Sequence, residues 1–100
     1  MAEILIIEDD RDMSFTLCRM VEGMGHHATD AFTLMEGLQK AAGAKFDIVF
    51  LDVRLPDGNG LGIIPKVQTG SMPPEIIIVT AYGDPGGAER AIGWHPKIER

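Results

Sequence analysis

The chain has 100 residues, of which 45% are hydrophobic and 24% are charged, and its formal net charge is −6. This length suits one domain, which buries about 60 to 70 per cent of the surface of its unfolded chain. No apolar stretch reaches the roughly 20 residues that span a bilayer, and the acidic balance disfavours binding to nucleic acid phosphates. The lone cysteine gives no disulfide framework, so we expect a cytoplasmic protein.

The first half of the chain alternates strand patterns with helical patterns. Residues 4–7 (ILII) form a continuous apolar run, typical of a strand buried on both faces. Residues 26–31 (HHATDA) are a weaker strand candidate, and residues 33–42 (TLMEGLQKAA) predict a helix. An apolar stripe at helical spacing predicts another helix between the two strands, and we expect its methionines to pack in the core: Met13, Leu17, Met20, Val21 and Met24.

The second half continues the alternation. Residues 48–51 (IVFL) predict a third strand, and residues 76–79 (IIIV) a fourth. Asn59 is a good N-cap for a third helix, which Pro65 should bend or delay. A short helix is expected around residues 88–92. Alternating strands and helices of this kind predict an α/β domain with a doubly wound parallel sheet.

Acidic residues collect where the predicted strands end. Glu8, Asp9 and Asp10 follow the first strand, Asp52 closes the third, and Thr80 closes the fourth. Because ligands of doubly wound sheets bind beyond the carboxyl ends of the strands, these side chains should share one site. Carboxylate oxygens are the ligands that Mg²⁺ prefers. We expect Asp9 and Asp52 to bind the ion directly, and Glu8 or Asp10 to reach it through water.

An alternative is that such acids only cap helices. Capping explains Asp10 or Asp12 well, because both stand just before the first predicted helix. It does not explain Asp52, which precedes the next candidate cap by several residues. The backbone carbonyl of Arg54 is placed to turn back toward the same ion. A metal beside an aspartate suggests transfer of a phosphoryl group onto the carboxylate, with the Thr80 hydroxyl bound to the product.

Three segments together resemble the receiver domain of two-component response regulators: ILIIEDD (4–10), DIVFLDVRLPDGNGL (47–61) and IIIVTAYGD (76–84). The resemblance covers about residues 3–92. It implies a flavodoxin-like, CheY-like fold with strand order 2-1-3-4-5. The TAYGD letters suggest the type of regulator that activates transcription through an attached ATPase.

The resemblance also implies the role of each site residue. Asp52 would be the phosphoacceptor and Thr80 the switch hydroxyl, while Glu8 and Asp9 would bind Mg²⁺ together with Asp52 and the Arg54 carbonyl. The implied donor is a sensor histidine kinase. The implied readout is an attached output domain, a downstream protein or a homodimer. From its charge and composition, this segment itself is expected to bind neither nucleic acid nor a membrane. No enzyme with turnover is expected.

The resemblance departs at the C-terminal end. The family places a phosphate-contacting lysine on a fifth strand, and its position would fall beyond Arg100, while Lys97 is out of register. We therefore expect the fifth strand and fifth helix to be truncated, and residues 1–100 to be a single receiver domain from a longer regulator. The missing lysine leaves open a pseudo-receiver, a protein-interaction module that is not phosphorylated. An aspartate-dependent phosphatase is disfavoured because Arg54 stands where it would need a second aspartate.

Overall fold

The computed structural model describes residues 1–80 and residues 91 and 92, with side chains as far as Val79. The strands are β1 (Glu3–Ile7), β2 (His27–Ala31), β3 (Ile48–Asp52), β4 (Arg54–Leu55), β5 (Gly58–Asn59), β6 (Glu75–Thr80) and β7 (Ala91–Ile92). The helices are α1 (Arg11–Gly23), α2 (Leu34–Gly43), a 3₁₀ helix (Gly60–Ile63) and α3 (Ile64–Val67). None of these helices is long and apolar enough to cross a membrane. The expectation for Lys97 lies outside the described residues.

The main sheet has the order β2-β1-β3-β6-β7. Its first four strands are parallel, and β6 occupies the fourth place of the predicted order 2-1-3-4. The doubly wound α/β fold expected from the sequence is therefore confirmed. The weak strand candidate after α1 is also confirmed, because β2 pairs along its full length with β1.

The last strand of the sheet, β7, lies where the sequence predicted a short helix. Ala91 and Ile92 form β7, which is antiparallel to β6 and pairs with Thr80 and Val79. The prediction of a helix extending through residues 91 and 92 was wrong. The outer edge of β6 carries backbone groups that need partners, and pairing with a short strand satisfies some of them. Within the described residues, this two-residue antiparallel strand takes the fifth place in the sheet.

The core lies on both faces of the sheet. One cluster joins β1, β3 and β6 to α2 and the segment around α3, and its buried members include Leu5, Val49, Leu51, Ile63 and Ile76. The other joins the opposite face to α1, and its buried members are Ile4, Ile6, Leu17, Val21 and Val79. Burial on both faces explains the unbroken apolar runs in the strands. The structure describes three buried polar residues: Ser14 lies on α1, while Glu8 and Asp52 stand at strand ends and belong to the site described below.

The predicted stripe of α1 was wrong for two methionines. The buried face of the helix is centred on Ser14, Leu17 and Val21. Met20 and Met24 are 53% and 65% exposed, because they lie to the side of that face or at the end of the helix. Helical spacing alone did not locate the centre of the buried face.

The third helical segment begins as expected. The Asn59 side chain accepts a hydrogen bond from the Leu61 N–H at 2.8 Å and caps the 3₁₀ helix. The α-helix proper starts only at Ile64, and Pro65 lies in its first turn. Since proline lacks an N–H, it is tolerated there and not further along a helix. The predicted delay of this helix is confirmed.

Candidate metal centre

Strands β1 and β3 end side by side. They are parallel neighbours, with Ile7 of β1 opposite Leu51 of β3. The next residue along the chain is a carboxylate in both cases: Glu8 directly follows β1, and Asp52 is the last residue of β3. The pairing of the two strands therefore brings together acids that are far apart in the sequence.

Three carboxylates form a cluster at the carboxyl-terminal ends of β1 and β3. Glu8, Asp9 and Asp52 each offer one oxygen, and these oxygens all lie within 4.8 Å of one another. Glu8 is 1% exposed and Asp52 is 5% exposed, whereas Asp9 faces solvent. The predicted convergence of these three residues is confirmed.

Backbone N–H groups support the two buried carboxylates. The Asp10 N–H donates to Glu8 Oε2 at 3.0 Å, and the Arg54 N–H donates to Asp52 Oδ1 at 3.3 Å. Such bonds favour the ionised form of a carboxylate, while the repulsion between neighbouring carboxylates disfavours it. A divalent cation would offset that repulsion. The donor set fits a hard cation such as Mg²⁺, which prefers oxygen ligands.

Asp10 has a different role. Its Oδ1 accepts hydrogen bonds from the Asp12 and Met13 N–H groups, at 3.0 and 3.1 Å, and caps α1. The capping alternative is therefore confirmed for Asp10. It does not extend to Glu8 and Asp52, which lie at strand ends and face the cluster.

Arg54 and Thr80 were also predicted at this site. Arg54 begins a small hairpin, in which β4 pairs with β5 directly after Asp52. Thr80 is the last residue of β6, one position beyond the Val79 that pairs with Asp52. Its backbone thus lies at the same edge of the sheet, and its hydroxyl lies outside the described atoms. The metal-binding role of the Arg54 carbonyl stays a prediction.

Close packing fixes the segment after Asp52. Gly60 is buried, and its N–H donates to the Val53 carbonyl at 2.6 Å. A Cβ on Gly60 would lie less than 3.0 Å from the Asp52 carbonyl oxygen. Only glycine lets the chain return this close to the end of β3.

Sequence reasoning missed the contact that Asp57 makes. Its two carboxylate oxygens accept hydrogen bonds from the Leu34 and Met35 N–H groups, at 2.8 and 3.0 Å. These bonds, from Leu34 first and then Met35, hold the pKa of Asp57 below its ordinary range. The LPDG letters predict a turn around Asp57, but they carry no signal for a partner more than 20 residues away.

Comparison with known proteins agrees with this geometry. The family described as the response regulator receiver domain matches residues 4–95. The KDP operon transcriptional regulatory protein KdpE of Escherichia coli (strain K12) is 37% identical over 78 residues, which are 78% of this chain and 35% of that protein. The response regulator ArlR of Staphylococcus aureus (strain Mu50 / ATCC 700699) is 33% identical over 84 residues, 84% of this chain and 38% of that protein. The chain thus spans little more than a third of the length of these curated relatives.

Solved structures show the same fold. The response regulator TrrA of Thermotoga maritima, in complex with Mg(2+)-BeF, is similar with a TM-score of 0.76 and 26% identity, over 83% of this chain and 72% of that one. A response regulator from Burkholderia pseudomallei, with a phosphorylated aspartic acid, a calcium ion and citrate, gives a TM-score of 0.75 and 27% identity, over 88% of this chain and 52% of that one. Since the family match covers nearly the whole sequence and the fold agrees with it, this chain belongs to the response regulator receiver domain family of two-component signalling.

Proposed function

We propose that Asp52 accepts a phosphoryl group from the phosphohistidine of a sensor histidine kinase, in a reaction that requires Mg²⁺. The observation that carries the proposal is the position of the Asp52 carboxylate. It is buried at the end of β3, and one of its oxygens lies within 4.8 Å of oxygens of Glu8 and Asp9. A single buried acid would not point to phosphoryl transfer, whereas this cluster places a potential nucleophile beside carboxylates that could hold a cation.

The transfer itself exchanges one bond for another. A carboxylate oxygen of Asp52 attacks the phosphorus atom, a P–O bond forms, and the P–N bond to the donor imidazole breaks. The imidazole leaves with the electron pair of that bond. Bound Mg²⁺ would neutralise charge on the phosphoryl oxygens. Glu8, Asp9 and the Arg54 carbonyl are the proposed ligands beside Asp52, and Thr80 is the proposed partner of the product phosphoryl group.

The product changes the charge at the end of β3. A phosphoryl group adds about −1.5 to −2 charges and three acceptor oxygens. We infer that this change shifts the domain between two states that a partner reads. The partner is an attached output domain, a downstream protein or a second copy of the chain, and the setting is the cytoplasm. The ATPase-linked output suggested by TAYGD stays a prediction, as does the place of residues 1–100 as one domain of a longer regulator.

Relatives support this proposal. The Burkholderia pseudomallei structure contains a phosphorylated aspartic acid and a calcium ion, and the Thermotoga maritima structure contains Mg(2+)-BeF. The acidic cluster of this chain offers an aspartate that could accept a phosphoryl group and carboxylates that could hold a divalent cation.

The test is labelling by a small phosphodonor such as acetyl phosphate, followed by intact mass. The parent protein should gain one phosphoryl group in Mg²⁺ and none in EDTA, and Asp52→Asn should gain none. Asp47→Asn is the matched control, because Asp47 is exposed and binds the Glu3 N–H at 2.8 Å near the opposite ends of the strands.

Equal labelling of Asp52→Asn and the parent would remove Asp52 from its role. A parent that binds Mg²⁺ but is never labelled, by acetyl phosphate or by a phosphorylated kinase, would instead favour the pseudo-receiver.

A further inference from the structure

The hairpin after Asp52 is attached at its tip to the start of α2. Strands β4 and β5 pair through Arg54 with Asn59 and Leu55 with Gly58, which leaves Pro56 and Asp57 as the turn. The Asp57 carboxylate accepts the first two N–H groups of α2. Two hydrogen bonds therefore join segments that are 22 and 23 residues apart in the sequence.

A second contact supports the same attachment. Gly58 has a φ of +149°, and a Cβ added there would lie 2.9 Å from Cδ1 of Leu34. The hairpin tip thus packs directly on the first turn of α2, in addition to binding its N–H groups. Thr33 accepts the third N–H, from Glu36, at 3.1 Å. Two residues therefore cap the start of α2: Thr33, which directly precedes the helix, and Asp57, which belongs to the hairpin.

The other end of the hairpin reaches Asp52. The Arg54 N–H donates to Asp52 Oδ1, and the Gly60 N–H closes the base of the hairpin on the Val53 carbonyl. A continuous path of contacts therefore runs from α2, through Asp57 and the hairpin, to the buried carboxylate. A two-stranded hairpin this short is not stable alone in water, so its position depends on where it is attached.

We propose that Asp57 is a positioning residue for the metal centre. By binding the start of α2, its carboxylate holds the hairpin where the Arg54 backbone meets Asp52, and this sets the affinity of the cluster for Mg²⁺. The inference rests on the proposed function, because it concerns the same cation. It goes further by giving a residue outside the cluster a defined effect on cation binding.

A merely structural role gives a different expectation. If Asp57 only caps α2, then removal of the other capping side chain, that of Thr33, should weaken Mg²⁺ binding to the same extent. Thr33→Ala removes the acceptor of the Glu36 N–H and leaves the contacts of Asp57 in place. It is therefore the control for helix capping, and Asp47→Ala is the control for loss of one exposed acidic charge.

The experiment compares Asp57→Ala and Asp57→Asn with the parent and the two controls. Mg²⁺ binding is measured by isothermal titration calorimetry, and exchange of the Leu34, Met35 and Arg54 amide hydrogens is measured by NMR without metal. Both Asp57 variants lose the same charge, but Asn keeps one acceptor oxygen. The difference between them therefore isolates the hydrogen bonds from electrostatic attraction.

We expect Asp57→Ala to weaken Mg²⁺ binding about tenfold, the lower end of the range for groups that orient metal ligands. Asp57→Asn should fall between Ala and the parent. Asp57→Ala should also speed exchange of the Arg54 amide, whereas Thr33→Ala and Asp47→Ala should leave that amide and the Mg²⁺ affinity within about twofold of the parent, since they do not touch the hairpin.

Equal affinities for Asp57→Ala and Asp57→Asn, or an equal loss in Thr33→Ala, would overturn the inference while the proposed function stands. If Asp57→Ala does not fold, Asp57→Asn compared with Asp47→Asn carries the test, and equal affinities of that pair would overturn the inference. Absence of Mg²⁺ binding by the parent would instead count against the proposed function.

Discussion

Gly60→Ala should destabilise the domain and disturb the end of β3. Gly60 is the first residue of the 3₁₀ helix and lies against the backbone of Asp52. Gly62, two residues later in the same helix, has nothing within 4 Å of the position of an added Cβ. Gly62→Ala is therefore a matched control, with the same substitution in the same element.

The structure indicates the size of the effect. A Cβ on residue 60 would lie less than 3.0 Å from the Asp52 carbonyl oxygen, 3.1 Å from its carbonyl carbon and 3.2 Å from Cδ1 of Leu51. Two of these atoms belong to the backbone and cannot rotate away, so the segment must shift. Overpacking costs about 1–3 kcal/mol, and a shift that breaks the bond from the Gly60 N–H to Val53 adds about 1 kcal/mol. We expect the free energy of unfolding to fall by about 2–4 kcal/mol.

Thermal and urea unfolding measure this loss. A domain of this size should lose on the order of 10–20 °C in Tm. Gly62→Ala should stay within about 1 kcal/mol of the parent, on the stabilising side if it differs, because alanine restricts the unfolded chain. If Gly60→Ala unfolds at the same urea concentration as Gly62→Ala, the close approach to Asp52 is not a constraint and the reasoning fails.

Two further predictions follow from the start of α2. The hydrogen bonds from Leu34 and Met35 lower the pKa of Asp57 in the folded protein. These bonds therefore stabilise the fold fully at pH values above 3.8, the ordinary pKa of the carboxyl group. The stabilisation is lost as the pH falls through the lower pKa of the folded state. The stability difference between the parent and Asp57→Asn should therefore shrink during urea titrations from pH 5 to pH 2, and a difference that grows would contradict the assignment. Gly37→Ala should cost about 1–2 kcal/mol, because its Cβ would lie 2.5 Å from Cδ1 of Ile7, whereas Gly43→Ala meets nothing within 4 Å; equal urea midpoints for the two variants would count against close packing of α2 on β1.

The acidic cluster could be predicted from the sequence because each step used only a short stretch of residues and a general rule for parallel sheets. The apolar runs of β1 and β3 end at charged residues, and both runs read as strands buried on two faces. Parallel strands end at the same edge of a sheet, so the convergence of Glu8, Asp9 and Asp52 needed no further information. The roles of these residues as ligands and phosphoacceptor stay predictions until the labelling and binding experiments are done.

Features set by tertiary packing were not predictable in the same way. Met20 and Met24 are spaced from Leu17 and Val21 as residues on one helix face would be, yet both are exposed. The side of α1 that is buried depends on where the sheet packs against the helix, and the spacing alone does not contain that information. The partner of Asp57 depends on where α2 begins relative to the hairpin. Two segments that each look like ordinary turn and cap sequences give no sign that they meet.

The burial of two carboxylates explains why the position of the hairpin matters. Glu8 and Asp52 lie side by side with little access to water, so their repulsion is weakly screened. Backbone N–H groups from Asp10 and Arg54 each support one of them, and Arg54 belongs to the segment that Asp57 attaches to α2. A cation bound here would be attracted in a poorly screened site, and the pairing of β1 with β3 has already brought two of its proposed ligands, Glu8 and Asp52, together. Strand pairing can place Glu8 and Asp52, but it cannot place the Arg54 backbone, because Arg54 lies beyond the end of the strand. The attachment through Asp57 supplies that missing constraint.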